Sequence, residues 1–286
     1  MKRLAKNFID LLFGQERRIQ WTIRAMHQVS RLHFQLNHLF HTKKKQVHFG
    51  QIQPVFIVGC GHSGTSLLNK ILGTHPSIFA IGGESELFLP QRLSFHQVED
   101  RLIEWMSAAN DEHATHICEK TPQHIHKAQQ IRAFFPTAKF IYITRNPLDC
   151  VASLHKRYNN FERSIFRYQF DNHVGLRLRR RNDVIQVKYE SLVIDFDRTM
   201  AKVMDFLKLP IVDLSRFHET ETRYDSDTIA RPAEYNSQTH SNMRNWQVNQ
   251  PVYDARGSHS KILTKDEIEL CSSRLHRIAE DLGYEL

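Results

Sequence analysis

The chain has 286 residues, which is the size of one α/β domain with ample length for a hydrophobic core. Its net charge of +8 comes from residues 1–50, where ten lysines and arginines face two acidic residues, and the rest of the chain is balanced. Basic and aromatic residues do not alternate, so nucleic acid is not an expected partner. Four scattered cysteines without metal-ligand spacing indicate neither a disulfide framework nor a zinc site, and they favour a reducing compartment such as the cytoplasm.

Residues 1–50 are predicted to form a basic, helical N-terminal extension. Apolar residues recur at helical spacing between arginines, as in an amphipathic helix, and Lys43, Lys44 and Lys45 add a cationic cluster. We expect no signal peptide and no membrane span here, because no uninterrupted apolar run is long enough. The apolar side of this helix is expected either to pack on the domain or to lie on an anionic membrane surface, which would place the protein at the periphery of a membrane.

The most informative stretch is PVFIVGCGHSGTSLLNKILGTHP, residues 54–76. Val55 to Val58 form a short apolar run, as in a strand that is buried on both faces of a parallel sheet. A glycine-rich turn at residues 59–64 follows, and apolar residues at helical spacing then predict a helix that ends near Gly73. A turn of this kind binds anions, because free amide donors and the positive end of the helix dipole point at the ligand.

Other phosphate-binding loops fit this turn in part. Gly59, Gly61 and Gly64 spell GxGxxG, and Glu84 follows twenty residues after the last glycine, as in an NAD(P)-binding Rossmann oxidoreductase. The spacing of Gly59 and Gly64 also matches a Walker A loop, but Thr65 stands where that loop has its phosphate-binding lysine. The Rossmann oxidoreductase is therefore the alternative interpretation.

A second strand and helix repeat the pattern in KFIYITRNPLDCVAS, residues 139–153. Phe140 to Ile143 read as a buried strand, and Arg145 follows at its end. The next helix is predicted to begin at Pro147, with Ser153 two turns further on. A guanidinium fork and a serine hydroxyl together suit a terminal phosphate.

The two stretches together resemble the sulfotransferase family. HSGTSLL followed by HP and GE is similar to the 5′-phosphosulfate loop of these enzymes, and Arg-Asn-Pro with a serine eight residues after the arginine is similar to their 3′-phosphate site. The resemblance implies a P-loop-like, three-layer α/β fold with a central, mainly parallel sheet flanked by helices. It covers about residues 55–246, and the implied sulfotransferase domain is residues 51–286.

The resemblance also implies the donor and its ligands. The donor is 3′-phosphoadenylyl sulfate (PAPS), which leaves as adenosine 3′,5′-bisphosphate (PAP), and no metal is expected. The implied ligands are Gly61, His62, Ser63, Gly64, Thr65, Ser66, Arg145, Ser153, Tyr189, Arg244 and Trp246.

The candidate catalytic residues are Glu84, Lys120, His62 and His124. In the tyrosylprotein branch and many bacterial members, a glutamate after the second strand takes the acceptor proton, which implies Glu84, with Glu86 as the second choice. Lys120 in the EKTP motif and His62 are expected to stabilise charge on the bridging oxygen. Cytosolic members have their catalytic histidine where this chain has a proline, so the nearby His124 is a further candidate base.

The second anion site favours the sulfotransferase interpretation over the Rossmann alternative. A donor with phosphate at both ends needs two anion sites on adjacent strands. The dinucleotide-binding pattern of a Rossmann enzyme does not include Arg-Asn-Pro followed by the serine. The acceptor stays open at this point, because a carbohydrate, a lipid, a peptide or a small alcohol would each supply the hydroxyl.

Overall fold

A parallel sheet forms the centre of the computed structural model of this chain. The strands described are β1 Gln53–Gly59, β2 Ile78–Ala80, β3 His116–Lys120, β4 Lys139–Thr144 and β5 Val184–Lys188. They lie in the order β2-β3-β1-β4-β5, and each neighbouring pair is parallel. Because parallel strands need crossover connections, helices separate them along the chain.

The structure describes residues 52–89, 95–219, 221, 229–233, 238–252 and 254–286. The predicted basic extension of residues 1–50 lies outside these described residues. Within them, no helix combines the length and the apolar character that crossing a membrane requires.

The helices flank the sheet in the order of the crossover connections. They are α1 Thr65–Leu72, α2 Phe95–Asp111, α3 Ala128–Phe134, α4 Pro147–Tyr158, α5 Phe161–Leu178, α6 Tyr189–Ile194, α7 Phe196–Leu207, α8 His240–Val248 and α9 Lys265–Leu282, with 3₁₀ helices at Pro122–Lys127, Phe217–Glu219 and Ser258–Lys261.

Alternating side chains of the central strands bury both faces of the sheet. On one face, Ile57 and Ile141 belong to a core that includes side chains of α1 and α7. On the opposite face, Phe56 stacks on Phe140, and the buried Tyr142 hydroxyl donates to the Asn172 side chain on α5. Such period-two alternation is the geometry of a strand covered on both sides. The predicted α/β class, with a mainly parallel sheet flanked by helices, is confirmed.

Several helix ends have the capping residues that are typical of helix termini. The Asn146 side chain accepts hydrogen bonds from the first turn of α4, and Pro147 occupies the first helical position. Thr264 and Glu267 form the capping box of α9, and Gly283 ends that helix in a left-handed conformation.

The structure departs from the sequence patterns at two points. Residues 210–260 show little sequence periodicity, but the structure has α8, His240–Val248, within that range. The Rossmann alternative places β2 beside β1, whereas here β3 lies between them. The strand before Glu84 is therefore not the neighbour of β1, and the strand order does not support a dinucleotide-binding interpretation.

Candidate active site

The glycine-rich turn packs tightly between β4 and the start of α6. A Cβ on Gly59 would lie 2.4 Å from the Ile143 carbonyl oxygen, and one on Gly64 would lie 2.7 Å from the Tyr189 ring. Gly64 also has φ +94°, which non-glycine residues rarely adopt. A Cβ on Gly61 would meet nothing within 4 Å, so this glycine faces open space.

That open space is a cavity of about 320 Å³ at the carboxyl edge of the sheet. Its wall includes the turn, the residues that follow β2, β3, β4 and β5, and the inner side of α8. Its positively charged wall residues are Arg145, Lys156, Arg157 and Arg244, and Glu84 is the single carboxylate among the described residues that line it. Ligands of open α/β sheets bind at this edge, and a wall of this charge favours an anion.

The structure brings most of the predicted donor ligands to this cavity. Those that line it are Gly61, His62, Gly64, Thr65, Ser66, Arg145, Ser153, Tyr189 and Arg244. Ser63 does not line it, because its buried hydroxyl lies 3.5 Å from Cys150 Sγ and its amide donates to the Cys60 carbonyl. Trp246 does not line it either, and its ring packs against the Arg231 guanidinium.

Arg145 lies at the end of β4 and is nearly buried. Its guanidinium stacks on the Tyr189 ring at 4.7 Å, and its Nη1 and Nη2 donate to the carbonyls of His62 and Ala255 at 3.2 Å each. It does not pair with Asp149, which instead accepts hydrogen bonds from residues 257–259. Arg145 Nε is buried without a hydrogen-bond partner in the part of the chain that the structure describes.

His62 joins the turn to α4. Its Nδ1 lies 2.8 Å from the Ser153 hydroxyl, and its ring stacks on His240 with 5.5 Å between ring centres. Burial lowers the pKa of His62 well below its ordinary value, and the neighbouring His240 and arginines lower it further, so the ring is neutral. Its Nε2 is buried and has no partner among the described residues.

Glu84 follows β2 and accepts hydrogen bonds from two cations. Lys120 Nζ and Arg244 Nη2 lie 3.1 and 2.9 Å from the same oxygen, Oε1. Burial raises the pKa of Glu84, but the two cations outweigh burial and hold it below its ordinary value. Lys120 is fully buried behind Glu84 and does not line the cavity, and burial lowers its pKa although Glu84 opposes the shift.

The structure does not bring His124 to the cavity. Its Nε2 accepts the Phe88 amide hydrogen at 3.2 Å, so Nδ1 carries the ring proton and donates to Glu119 Oε2 at 2.9 Å. Glu119 is buried and also accepts from the Ser85 hydroxyl at 2.7 Å. With both ring nitrogens engaged, His124 fixes the segment after Glu84 and is not placed to take a substrate proton. Glu86, the second choice for the base, does not line the cavity either.

Sequence reasoning missed three cationic or aromatic side chains of the cavity wall. Lys156 and Arg157 lie one helical turn after Ser153 on α4, and His240 begins α8. The spacing of Ser153 and Arg157 was the available signal, since residues four apart share a helix face. Burial and the charges of Arg157 and Arg244 lower the pKa of His240 to about 3.

The family of the chain follows from a comparison with family models. The model of the sulfotransferase family matches residues 54–111 and 91–213, which contain the turn, Glu84, Lys120 and Arg145. The chain belongs to the sulfotransferase family. Among curated relatives of this sulfotransferase, protein-tyrosine sulfotransferase 1 of Danio rerio is 25% identical over 199 residues. That match covers 58% of this chain and 56% of the relative, so the chain spans about half the length of that protein.

Solved sulfotransferase structures share the fold. The sulfotransferase domain of the Synechococcus PCC 7002 olefin synthase aligns with a TM-score of 0.58 and 18% identity, over 85% of this chain and 98% of that domain. A mouse sulfotransferase complexed with PAP aligns with a TM-score of 0.52 and 16% identity, over 82% and 86% of the two chains. The predicted P-loop-like sulfotransferase fold is therefore confirmed.

Proposed function

We propose that the protein transfers a sulfonate group from PAPS to an acceptor hydroxyl. The observation that carries the proposal is the pair of buried nitrogens without partners at the cavity, His62 Nε2 and Arg145 Nε. A buried donor without a partner costs about 1–3 kcal/mol. Oxygens of a bound phosphate or sulfonate are acceptors to which both nitrogens could donate.

The two ends of the donor fit two parts of the cavity wall. At the 5′ end, the backbone amides of Gly64 to Ser66 lie at the start of α1, and amides at a helix start are suitable donors to a phosphosulfate. At the 3′ end, Arg145 is the proposed phosphate ligand, and Arg157 adds positive charge one turn further along α4. With the His62 proton on Nε2, the Ser153 hydroxyl donates to Nδ1 and orients that ring. His62, in the turn, contacts Ser153 on α4 and so connects these two parts of the wall.

Glu84 is the proposed base of the reaction. Its carboxylate takes the proton from the acceptor hydroxyl while the acceptor oxygen bonds to sulfur. The bond from sulfur to the bridging oxygen breaks in the same transfer, and PAP leaves with the negative charge that grows on that oxygen. The loop amides and the neutral Nε2–H of His62 donate to this charge, and Lys120 supports it from behind Glu84.

A peptide tyrosine is the first acceptor to test. The Danio rerio relative is a protein-tyrosine sulfotransferase, and this chain is 25% identical to it over the matched residues. A carbohydrate, a lipid and a small alcohol are the comparison acceptors, each offered with radiolabelled PAPS and scored by label transfer.

Calorimetric titration tests the donor without knowledge of the acceptor. We expect PAP to bind the wild-type protein and to bind Arg145→Ala much more weakly, because the guanidinium supplies the fork for the 3′-phosphate. Arg163→Ala is the matched control, since Arg163 stacks on Tyr158 and does not line the cavity. Preferential binding of NADP, or equal PAP affinity in wild type and Arg145→Ala, would refute the proposed donor site.

We further propose that residues 1–50 attach a cytoplasmic enzyme to an anionic membrane surface. The segment holds the whole excess of positive charge of the chain, and each basic residue near an anionic surface contributes about 1 kcal/mol. Vesicles of anionic lipid should bind the full chain at low salt and release it at high salt. If the chain sedimented equally with neutral and anionic vesicles, or did not sediment with anionic vesicles, this proposal would be refuted.

A further inference from the structure

Arg244 lines the cavity and contacts the proposed base, Glu84. Its Nη2 is 2.9 Å from Glu84 Oε1 and 2.9 Å from His240 Nε2, and its side chain is 12% exposed. The resemblance implies a donor phosphate ligand at this position. In the structure its Nη2 is engaged by the Glu84 carboxylate in a charge-assisted bond, which is about twice as strong as a neutral one.

The two oxygens of Glu84 have different surroundings. Arg244 and Lys120 both donate to Oε1, and they come from α8 and from the end of β3. Oε2 has no hydrogen-bond partner within the described residues, and the side chain lines the cavity with 26% of its area exposed. The carboxylate is therefore held by one oxygen, and the other is left for a group that enters the cavity.

We infer that Arg244 is a positioning residue for the base Glu84 and not a ligand of the donor phosphate. The inference rests on the proposed function and deepens it. From α8, Arg244 fixes Oε1, keeps the carboxylate ionised between two cations, and leaves Oε2 to accept the proton of the acceptor hydroxyl. Because α8 also contributes Met243 and Gln247 to the cavity wall, the same helix that forms part of this wall orients the base.

The charges around Glu84 fix the expected direction of the effect. Lys120 and Glu119 face it from β3, and Arg244 and His240 face it from α8. Burial and Glu119 raise the pKa of Glu84, whereas Lys120 and Arg244 lower it. Burial and the charge of Arg157 lower the pKa of His240 more than Arg244 does, so His240 is not expected to replace the charge of Arg244. Removal of Arg244 alone should therefore raise the pKa of Glu84.

Carbon-13 NMR of carboxyl-labelled glutamate measures this titration directly in the full chain. The Glu84 signal is assigned as the one that Glu84→Gln removes. We expect the midpoint to rise by about one pH unit or more in Arg244→Gln, the usual effect of one close opposite charge. Arg244→Lys should keep most of the low midpoint. Arg157→Gln is the matched control, because it removes another cavity arginine that does not contact Glu84, and its midpoint should equal that of the wild type.

PAP titration of the same variants separates the two possible roles. A positioning role predicts near wild-type PAP affinity in Arg244→Gln together with the raised midpoint. An unchanged midpoint overturns the inference, and a tenfold loss of PAP affinity with that unchanged midpoint would assign Arg244 to the donor phosphate. If Arg244→Gln is poorly folded, Arg244→Met keeps the aliphatic stem and replaces it. Failure of the wild type to bind PAP would refute the proposed function. The titration midpoint of Glu84 would still test its contact with Arg244.

Discussion

Replacement of Gly64 by alanine should destabilise the protein by about 2–5 kcal/mol, because two penalties add. Gly64 has φ +94°, and a left-handed backbone costs a non-glycine residue about 1–2 kcal/mol. The new methyl group would also lie 2.7 Å from the Tyr189 ring, and overpacking of this kind typically costs about 1–3 kcal/mol. Since Tyr189 supports the Arg145 guanidinium at 4.7 Å, a shift of the ring should also weaken PAP binding.

Two other glycines separate these penalties. Gly257 has φ +70° but nothing within 4 Å of its added Cβ, so Gly257→Ala should lose about 1–2 kcal/mol from backbone strain alone. Gly61 has neither a positive φ nor a close neighbour, so Gly61→Ala should keep or slightly raise stability, by up to about 1 kcal/mol. Its methyl group would stand in the cavity, and PAP affinity should fall without any loss of stability.

Urea unfolding of the three variants, with PAP titration of each, tests this reasoning. The expected order of stability is Gly61→Ala, then Gly257→Ala, then Gly64→Ala. If Gly64→Ala and Gly257→Ala lose the same free energy of unfolding, the contact with the Tyr189 ring contributes nothing and the packing argument is refuted.

Three further substitutions test other parts of the structure. Lys120→Met should lower the turnover of PAPS about a hundredfold, the usual effect of losing one charge-stabilising donor, and full turnover would contradict its role. Burial raises the pKa of Glu119, but His124 and the hydrogen bonds from Thr121 and Ser85 together lower it by more than burial raises it. The ionised carboxylate therefore stabilises the fold above the ordinary carboxyl range, and this contribution is lost as the pH falls. Glu119→Gln should therefore show a shallower loss of stability in acid, measured by urea unfolding down to about pH 3. Gly175→Ala would place a methyl 2.2 Å from the Tyr142 ring, so its melting temperature should fall although alanine favours helices, and a rise would contradict the packing.

The parts of the site that the sequence predicts are those built from neighbouring residues. The turn after β1 and the arginine after β4 each lie within one strand-turn-helix unit, where apolar periodicity and capping residues specify the backbone locally. Because the strands are parallel, both units end at the same edge of the sheet, and the two predicted anion sites therefore line one cavity.

Contacts between distant segments were not predictable in this way. Arg244 and Glu84 are 160 residues apart, and their pairing depends on where α8 packs, which no local pattern specifies. The contacts of His124 were not predictable from the sequence either. Its position four residues after Lys120 of the EKTP motif suggested that it is a base. Its actual partners, Glu119 and the Phe88 amide, are visible only when the fold brings the segment after β2 over β3. The residue type alone does not distinguish a histidine with a structural role from a catalytic one.

The backbone register of β1 and β4 fixes the distance between the two proposed anion sites for the donor. Gly59 pairs with Ile143 in adjacent parallel strands, and the turn and Arg145 begin within two residues of that pair. The distance between the two proposed anion sites is therefore set by a hydrogen-bonded ladder, which side-chain substitutions do not stretch. Among the described residues, α8 contacts Glu84 through the Arg244 side chain and not through a strand pairing. Substitutions in α8 should therefore alter the surroundings of Glu84 without changing the distance between the two proposed anion sites.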